Sequence, residues 1–359
     1  MEVFGELRGR PVACISITDG VCSAEILTLG ATLRALRVPD RNGRMTDVVL
    51  GFDTVEDYVN QSCYIGATVG PAANRIAGAR CTVGGRTLAL DRNDGENCLH
   101  SGSAGLNTAL WTVEAVAENA VTLGCTHPDG AGGIPGPMRV EVTYRLAGGA
   151  LGVEYRAVSE CDTICNLTNH SYFNLNGHRA GSIEDHRIRI NAAAFTPTDA
   201  QSIPTGEIRP VDGTAMDLRQ LRRIGDALAQ GDEQLTLARG YDHNFVLEAA
   251  ACGAEAAACG AEADEYSAEA DEYSVEAVGD RSGIVLRLAT DRPGVQFYTG
   301  NYLPEGLRGK GGAVYGPRAG CCLETQAFPD APHHAGFPSI ALPAGATWES
   351  RTVFGFSVY

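Results

Sequence analysis

Apolar and polar residues alternate in short runs along most of this chain, and turn residues separate the runs. The clearest pair of runs, Val140-Glu-Val-Thr-Tyr-Arg-Leu146 and Leu151-Gly-Val-Glu-Tyr-Arg-Ala157, flanks Gly148-Gly149. Alternation with period two on both sides of a two-glycine turn predicts a β-hairpin. The same alternation predicts further strands at 24–36, 187–190, 284–289, 295–299 and 352–358.

Helical spacing of apolar residues is convincing in one short segment, residues 218–228, which we expect to be a surface connection. The chain has 44 glycines and 16 prolines among 359 residues, which favours many turns and few helices. No linker rich in proline or serine divides it. We therefore predict an all-β fold with few short helices, in which residues 1–359 form a single domain of packed antiparallel sheets.

Residues 249–277 differ from the rest of the chain because they contain tandem duplications. The sequence Ala251-Cys-Gly-Ala-Glu-Ala-Ala257 is nearly repeated at 258–264, and 262–268 is nearly repeated at 269–275. The segment has eight acidic and no basic residues and therefore carries −8 of the net charge of −16. It offers little apolar surface to bury, so we expect a solvated acidic insertion between two strands, with a short helix that docks a partner as the alternative.

The charge and the cysteines limit the partners and the compartment. A net charge of −16 without a basic stripe repels nucleic acid and anionic lipid, so neither DNA, RNA nor a membrane surface is expected as a partner. The twelve cysteines are scattered without Cys-x-x-Cys spacing, which favours reduced thiols. The first thirty residues contain no basic start followed by an apolar stretch. We therefore expect a cytoplasmic protein; the sequence carries no signal for its oligomeric state.

The most informative stretch is Asn166-Leu-Thr-Asn-His-Ser-Tyr-Phe-Asn-Leu175. In a continuous strand, His170 and Tyr172 would lie on a polar face, and Leu167 and Phe173 would point into a core on the other face. The polar face has more hydrogen-bonding groups than a solvated strand needs, which favours a groove that binds a hydroxyl-rich ligand. A lone buried histidine is more often structural, so His170 gains weight only if a partner lies beside it.

Glu324 is the best candidate for that partner. It lies in Cys321-Cys-Leu-Glu-Thr-Gln-Ala-Phe328, where alternation places it on one face with Cys322 and Gln326. An unpaired buried charge costs several kcal/mol, so this carboxylate needs a partner. A structural ion pair, for example with Arg318, is the alternative to a catalytic role.

Polar residues at loops and strand ends complete the set of candidates. Asn74 and Arg75 follow a turn-rich segment in which a guanidinium can be held for bidentate contact with oxygen ligands. His100 lies next to a glycine-containing loop, and Asp242 lies where a loop enters a strand. Gln296 shares a strand face with Tyr298.

These motifs together resemble one family, the aldose 1-epimerases. The resemblance extends over almost the whole chain and rests on the following motifs, in this order: Gly30-Ala-Thr-Leu33, Asp47-Val-Val-Leu-Gly-Phe-Asp53, Asn74-Arg-Ile76, Asn166-Leu-Thr-Asn-His-Ser-Tyr-Phe-Asn-Leu175, Thr196-Pro-Thr-Asp199, Tyr241-Asp-His-Asn-Phe245, Val295-Gln-Phe-Tyr-Thr-Gly-Asn301, Leu323-Glu-Thr-Gln-Ala-Phe-Pro-Asp-Ala331 and Phe354-Gly-Phe356. The resemblance implies a β-supersandwich with an open groove. It also implies interconversion of the α and β anomers of free hexoses such as galactose and glucose, without a cofactor or a metal.

The resemblance also implies roles for individual residues. Glu324 matches the general base, His170 the general acid and His100 a second imidazole near the ring oxygen of the sugar. The sugar-binding positions are matched by Asn74, Arg75, Asp242 and Gln296. Two loops depart from the family pattern: Leu99-His-Ser-Gly102 replaces Leu-His-Gly-Gly, and Gly105-Leu-Asn-Thr-Ala-Leu-Trp111 replaces a Gly-Phe-Asp-x-x-x-Trp run. The departures concern sugar preference more than the reaction.

Three other functions fit parts of the sequence. A hexose-6-phosphate 1-epimerase would use the same chemistry but calls for clustered basic residues at the groove. A non-catalytic sugar-binding module would keep Arg75 and Asp242 but would not need both Glu324 and His170. A metallohydrolase could use His333 and His334 with Glu324, although adjacent histidines do not point together.

Overall fold

The computed structural model describes residues 1–247 and 273–359 of the chain, and nearly all of its regular structure is β. Its strands, numbered in chain order, are β1 Glu2–Leu7, β2 Arg10–Thr18, β3 Ser23–Leu27, β4 Thr32–Pro39, β5 Met45–Asp47, β6 Thr68–Val69, β7 Arg75–Ile76, β8 Arg80–Val83, β9 Arg86–Ala89, β10 Cys98–Leu99, β11 Thr112–Val116, β12 Ala120–His127, β13 Met138–Ala147, β14 Ala150–Ser159, β15 Thr163–Ile164, β16 Thr168–Asn169, β17 Tyr172–Phe173, β18 Arg187–Ile190, β19 Ala194–Thr196, β20 Arg209–Pro210, β21 Arg222–Arg223, β22 Asp242–Val246, β23 Val275–Val278, β24 Ile284–Thr290, β25 Gly294–Tyr298, β26 Leu307–Arg308, β27 Val314–Tyr315, β28 Cys321–Gln326, β29 Ala341–Leu342 and β30 Thr347–Val358. The α-helices are α1 Val55–Val59, α2 Ile224–Leu228 and α3 Glu233–Leu237. Single 3₁₀ turns cover Ala77–Ala79, Gly102–Ala104, Leu106–Thr108, Ala131–Gly133, Lys310–Gly312 and Ala331–His333.

Three antiparallel sheets dominate the fold, which confirms the all-β prediction. The largest has nine strands in the order β11-β12-β13-β14-β30-β24-β23-β18-β21, the second has six in the order β17-β28-β25-β22-β19-β20, and the third joins β1 to β5 in sequence order. The predicted hairpin is confirmed, because β13 and β14 pair over their full length and end with Ala147 opposite Ala150. Gly148 and Gly149 supply the turn with φ of 58° and 82°, which glycine adopts without strain.

One large core cluster holds these sheets together. It contains Tyr144 and Leu286 from the nine-stranded sheet, Phe297 from the six-stranded sheet and Ile26 from the five-stranded sheet, all essentially inaccessible to water. Burial of each such side chain contributes about 1.5–3 kcal/mol, so the core is the main force that fixes the sheets. The predicted apolar face of residues 166–175 belongs to the same cluster through Leu167, Phe173 and Leu175.

The prediction of one strand at 24–36 is wrong, because two strands, β3 and β4, form an antiparallel pair there. The turn between them contains Gly30, which has a φ of 66°. A Cβ atom at this glycine would lie 2.4 Å from the carbonyl oxygen of Asn107. Tight packing of the turn against another loop therefore requires glycine and ends the strand.

The helix predicted at 218–228 is shorter than the pattern indicates and begins at Ile224. The preceding residues Arg222 and Arg223 pair with β18 instead. The carbonyl of Leu218 also accepts a hydrogen bond from the backbone N–H of Ile190 (2.8 Å). Sheet pairing thus takes the backbone groups that the first helical turn would need.

The acidic insertion predicted at 249–277 lies largely outside the described residues. Its last residues are described, and Val275–Val278 form strand β23 between β18 and β24. The ten cysteines among the described residues are all free thiols. In the same residues, no helix is long and apolar enough to cross a membrane.

Candidate active site

Three neighbouring strands of the six-stranded sheet bring the predicted carboxylates and amide to one face. In the register of β22, β25 and β28, Asn244 lies opposite Gln296, and Gln296 lies opposite Glu324. Asp242 lies opposite Tyr298 on the same face, and the Gln296 side-chain amide donates a hydrogen bond to the Asp242 carboxylate (2.7 Å). The period-two predictions for Gln296 and Glu324 are therefore confirmed, and Asp242 begins its strand where a loop was expected to enter it.

His170 lies where the chain changes sheets rather than in a continuous strand, so the prediction of one unbroken strand at 166–175 is wrong. The strand before it, β16, pairs with β6, whereas β17 after it pairs with β28. The break turns the imidazole toward Glu324, with 3.8 Å between His170 Nε2 and Glu324 Oε1. On the other side of the ring, His170 Nδ1 is 3.4 Å from the sulfur of Cys322.

The backbone of Asn74 fixes the tautomer of His100. The Asn74 N–H donates to His100 Nδ1 (3.0 Å), and the His100 N–H donates to the Asn74 carbonyl (3.0 Å). Burial lowers the pKa of His100 well below its usual value, with further lowering by His170 and Arg75, so the ring is neutral. Because Nδ1 accepts a hydrogen bond, Nε2 carries the ring hydrogen. His100 is therefore a hydrogen-bond donor through Nε2 and not a proton acceptor there.

The altered loop after His100 still packs on the segment that holds Asn74. Ser101 has a φ of 68°, a conformation that favours glycine, and glycine is the usual family residue at this position. The serine side chain accepts a hydrogen bond from the backbone N–H of Ala72 (2.8 Å). This bond anchors the loop next to His100.

Arg75 is held by carboxylates on two sides. Its Nε donates to Asp94 (2.7 Å), and Asp242 acts on it through charge. Burial lowers the pKa of Arg75, but Asp242 and Asp94 more than offset this effect and raise the pKa on balance. Burial also raises the pKa of Asp242, while Arg75 and the hydrogen bond from Gln296 lower it.

The protonation of the Glu324–His170 pair differs from the sequence-based expectation of an ionised glutamate and a partly protonated histidine. Burial raises the pKa of Glu324 well above its usual range, and Asp242 raises it further, while Arg75 lowers it. Burial also lowers the pKa of His170 to about 4. Both shifts have the same cause, because burial disfavours charge on either group. Burial therefore favours the neutral forms of both groups, a protonated Glu324 and an unprotonated His170.

Two residues that line this site were not singled out from the sequence. The ring of Tyr64 lies 4.6 Å from the ring of His100 and 5.8 Å from that of His170, measured between centroids. Asp94 holds the guanidinium of Arg75. Both lie in loops, where no period reveals the direction of a side chain; the only local signal is the turn-forming pair Asp94-Gly95.

The ion pair with Arg318, proposed as the structural alternative for Glu324, is wrong. Arg318 forms its ion pair with Glu184 and not with Glu324. His333 and His334 both contact Asp330, so the histidine pair of the metallohydrolase alternative is engaged elsewhere.

Three groups of the site have a spacing that could hold a metal ion. The nearest ligand atoms of His100, His170 and Glu324 lie within 4.8 Å of one another. A metal needs a nitrogen lone pair, however, and the bond from the Asn74 N–H leaves His100 with a hydrogen on Nε2. The donor set therefore fits a hydroxyl-bearing ligand better than a cation.

Comparisons with known proteins identify the family of the chain. The family model described as aldose 1-epimerase matches residues 13–355. The galactose mutarotase of Bos taurus is 44% identical over 358 residues, which cover 99% of this chain and 98% of that protein. The aldose 1-epimerase of Haemophilus influenzae is 33% identical over 358 residues, with 98% of both chains covered.

Solved structures show the same fold. The aldose epimerase homologue from C. elegans superposes with a TM-score of 0.84 at 28% identity, covering 97% of this chain and 99% of that chain. The galactose 1-epimerase from Lactobacillus acidophilus superposes with a TM-score of 0.82 at 25% identity, covering 99% and 98% of the two chains. The predicted galactose mutarotase-like β-supersandwich is thereby confirmed.

Proposed function

The chain belongs to the aldose 1-epimerase family and is an enzyme that acts on carbohydrates, and we propose that Glu324 and His170 exchange protons with the two oxygens on C1 of a free hexose. The observation that carries this proposal is the separation of 3.8 Å between His170 Nε2 and Glu324 Oε1 in a site flanked by side chains that offer hydrogen-bond donors and acceptors. We propose galactose and glucose as the substrates, since several of the relatives are galactose mutarotases.

Anomer interconversion requires a base at the C1 hydroxyl and an acid at the ring oxygen. Glu324 takes the hydroxyl proton while His170 gives a proton to the ring oxygen, and the ring opens to the aldehyde. Rotation about the C1–C2 bond presents the other carbonyl face, and both protons then return as the ring closes. Acid and base exchange roles between the two halves, so one pair serves both.

The buried site favours the middle of this reaction. After ring opening, Glu324 is protonated and His170 is neutral, which is the state that burial favours. The starting state, with an ionised glutamate and a protonated histidine, is reached when the single proton of the pair moves from Glu324 to His170 as the sugar binds. Burial therefore drives the proton transfer that opens the ring.

The surrounding residues bind and orient the sugar. Arg75, Asp242, Asn74 and Gln296 offer donors and acceptors to its hydroxyls, and the Nε2–H of His100 donates to an oxygen near C1. Correct orientation adds to the factor of about 10²–10⁴ that positioned proton transfer supplies. No step needs a metal or a cofactor. We further propose a cytoplasmic location, a small-molecule sugar as the partner, and neither nucleic acid nor membrane.

Polarimetry tests this function. Freshly dissolved α-D-glucose, α-D-galactose, xylose and arabinose are each mixed with the protein, and the approach to equilibrium rotation is followed. We expect first-order acceleration in proportion to protein concentration, with the hexoses fastest. Binding of these sugars without acceleration would instead support the sugar-binding module.

The protonation of the pair predicts a pH profile. The reaction needs one proton on the pair, and this state is lost on the acid side only when His170 gains a proton, at a pKa of about 4. We expect kcat/KM to stay flat across about pH 6–8 and to fall as the pH approaches 4. A fall as the pH rises through about 6.5, the ordinary pKa of histidine, would show that His170 must already be cationic in the free enzyme.

A third prediction concerns His100, whose Nε2–H donates. Asparagine is shorter than histidine and cannot place a donor where the Nε2–H of His100 lies. For the His100→Asn variant we therefore expect KM to rise and kcat to fall, each by about tenfold. Polarimetry over a range of galactose concentrations separates the two constants. A rise in KM alone would make His100 a binding residue without a share in the reaction.

A further inference from the structure

Asp94 is an acidic residue at the open edge of the site, and neither the reaction nor the family motifs assign it a role. Its side chain is 38% exposed, while the side chain of its partner Arg75 is 14% exposed. The turn that carries it is closed by backbone bonds between Asp94 and Asn97 in both directions (3.2 and 3.0 Å). The backbone that carries the carboxylate is thus held by its own turn.

The bond to Asp94 orients the guanidinium of Arg75. Asp94 accepts from Nε, the nitrogen nearest the backbone (2.7 Å). A bond at Nε leaves the terminal edge of the guanidinium, with its two outer nitrogens, available as a fork suited to two oxygens of one ligand. The effect of Asp242 on the pKa of Arg75 indicates that Asp242 lies within electrostatic reach of this guanidinium.

The charge of Asp94 also reaches the lining of the site. It raises the pKa values of Tyr64, Asp242 and Tyr302, each of which is also affected by Arg75. Because Asp94 and Arg75 act on the same groups with opposite sign, Asp94 offsets part of the positive charge of Arg75 there. A neutral sugar gains hydrogen bonds from such an arginine, whereas a phosphate gains little net attraction and meets the carboxylates of Asp94 and Asp242.

We propose that Asp94 is a positioning and specificity-determining residue, which orients Arg75 toward the sugar hydroxyls and offsets part of its charge so that the site prefers neutral sugars over sugar phosphates. This inference rests on the proposed function and extends it to the choice of substrate. The role of Asp94 explains why the presence of Arg75 alone does not favour hexose 6-phosphates as substrates.

Two variants separate the two parts of the role. Asp94→Asn keeps an oxygen that accepts from Arg75 Nε but removes the charge, whereas Asp94→Ala removes both. Glu96→Gln is the matched control, because Glu96 lies on the same turn, is exposed, and pairs with Arg92 rather than Arg75. Circular dichroism and thermal unfolding of all three variants establish that the fold is retained.

The readouts are KM for glucose and the ratio of kcat/KM for glucose to that for glucose 6-phosphate. We expect Asp94→Ala to raise KM for glucose about tenfold with kcat within about threefold. We expect Asp94→Asn to lower the glucose to glucose 6-phosphate ratio about fivefold, less so at high salt, and Glu96→Gln to change neither quantity. Absence of either change in the Asp94 variants overturns the assignment.

The test is independent of the proposed reaction. If the unmodified protein accelerates anomerisation of none of the sugars, the proposed function fails on that result alone. Calorimetric titration of glucose and glucose 6-phosphate into the same variants then gives the same comparison as binding constants. Equal binding ratios in the unmodified protein and in Asp94→Asn would overturn the role of Asp94.

Discussion

Replacing Glu324 with glutamine is expected to lower kcat for anomerisation by at least about 100-fold. Glutamine keeps the shape of the side chain but neither takes nor gives a proton near neutral pH, and positioned proton transfer is worth about 10²–10⁴-fold. The fold should be little affected, because Glu324 Oε2 has no hydrogen-bond partner within the described residues that the amide would break. Polarimetry of galactose measures the rate, and thermal unfolding measures the stability.

A suitable control for this variant is Glu349→Gln. Glu349 lies on β30 of the nine-stranded sheet, is exposed, and faces Arg156, so its charge is lost without a change in the site. This control should retain full activity. A Glu324→Gln enzyme with a near-normal rate would remove Glu324 from the reaction.

Replacing His170 with asparagine is the second change with a large expected effect, again at least about 100-fold in kcat. The asparagine amide can donate a hydrogen bond but cannot carry a proton from Glu324 to the ring oxygen. Because the two groups act as one unit, the double variant Glu324→Gln/His170→Asn should be no more than a few-fold slower than either single variant. Polarimetry gives kcat for the unmodified protein, the two single variants and the double variant, which together form a double-mutant cycle.

His333→Asn serves as the control for the histidine change, since His333 contacts Asp330 and not the site. It should keep its activity. If the fold-decrease in kcat of the double variant equals the product of the two single fold-decreases, Glu324 and His170 act separately. That result would rule out the shared proton.

Much of the site follows from the sequence wherever strands are continuous. Alternation within β25 and β28 places Gln296 and Glu324 on one face, and the antiparallel register then brings them side by side. The same reasoning places Asp242 at the start of its strand. In these segments the period of the strand and the burial of the opposite, apolar face fix the direction in which each side chain points.

The remaining features depend on contacts that are distant in the sequence. His170 faces Glu324 because the chain leaves one pairing partner for another at that residue, which alternation alone does not reveal. Tyr64 and Asp94 lie in loops whose direction is set by packing. The protonation of Glu324 and His170 reflects burial, and burial is a property of the folded molecule.

The central claim is that a sugar binds with its C1 hydroxyl at Glu324 and its ring oxygen at His170. A crystal structure of the Glu324→Gln variant with bound galactose tests this most directly, because glutamine keeps the shape of the side chain and the bound sugar shows which oxygen faces each residue. We predict hydrogen-bond distances of about 2.6–3.2 Å from the C1 oxygen to the side chain at position 324 and from the ring oxygen to His170 Nε2. A sugar bound with C1 pointing away from both side chains, or bound elsewhere on the molecule, would contradict it.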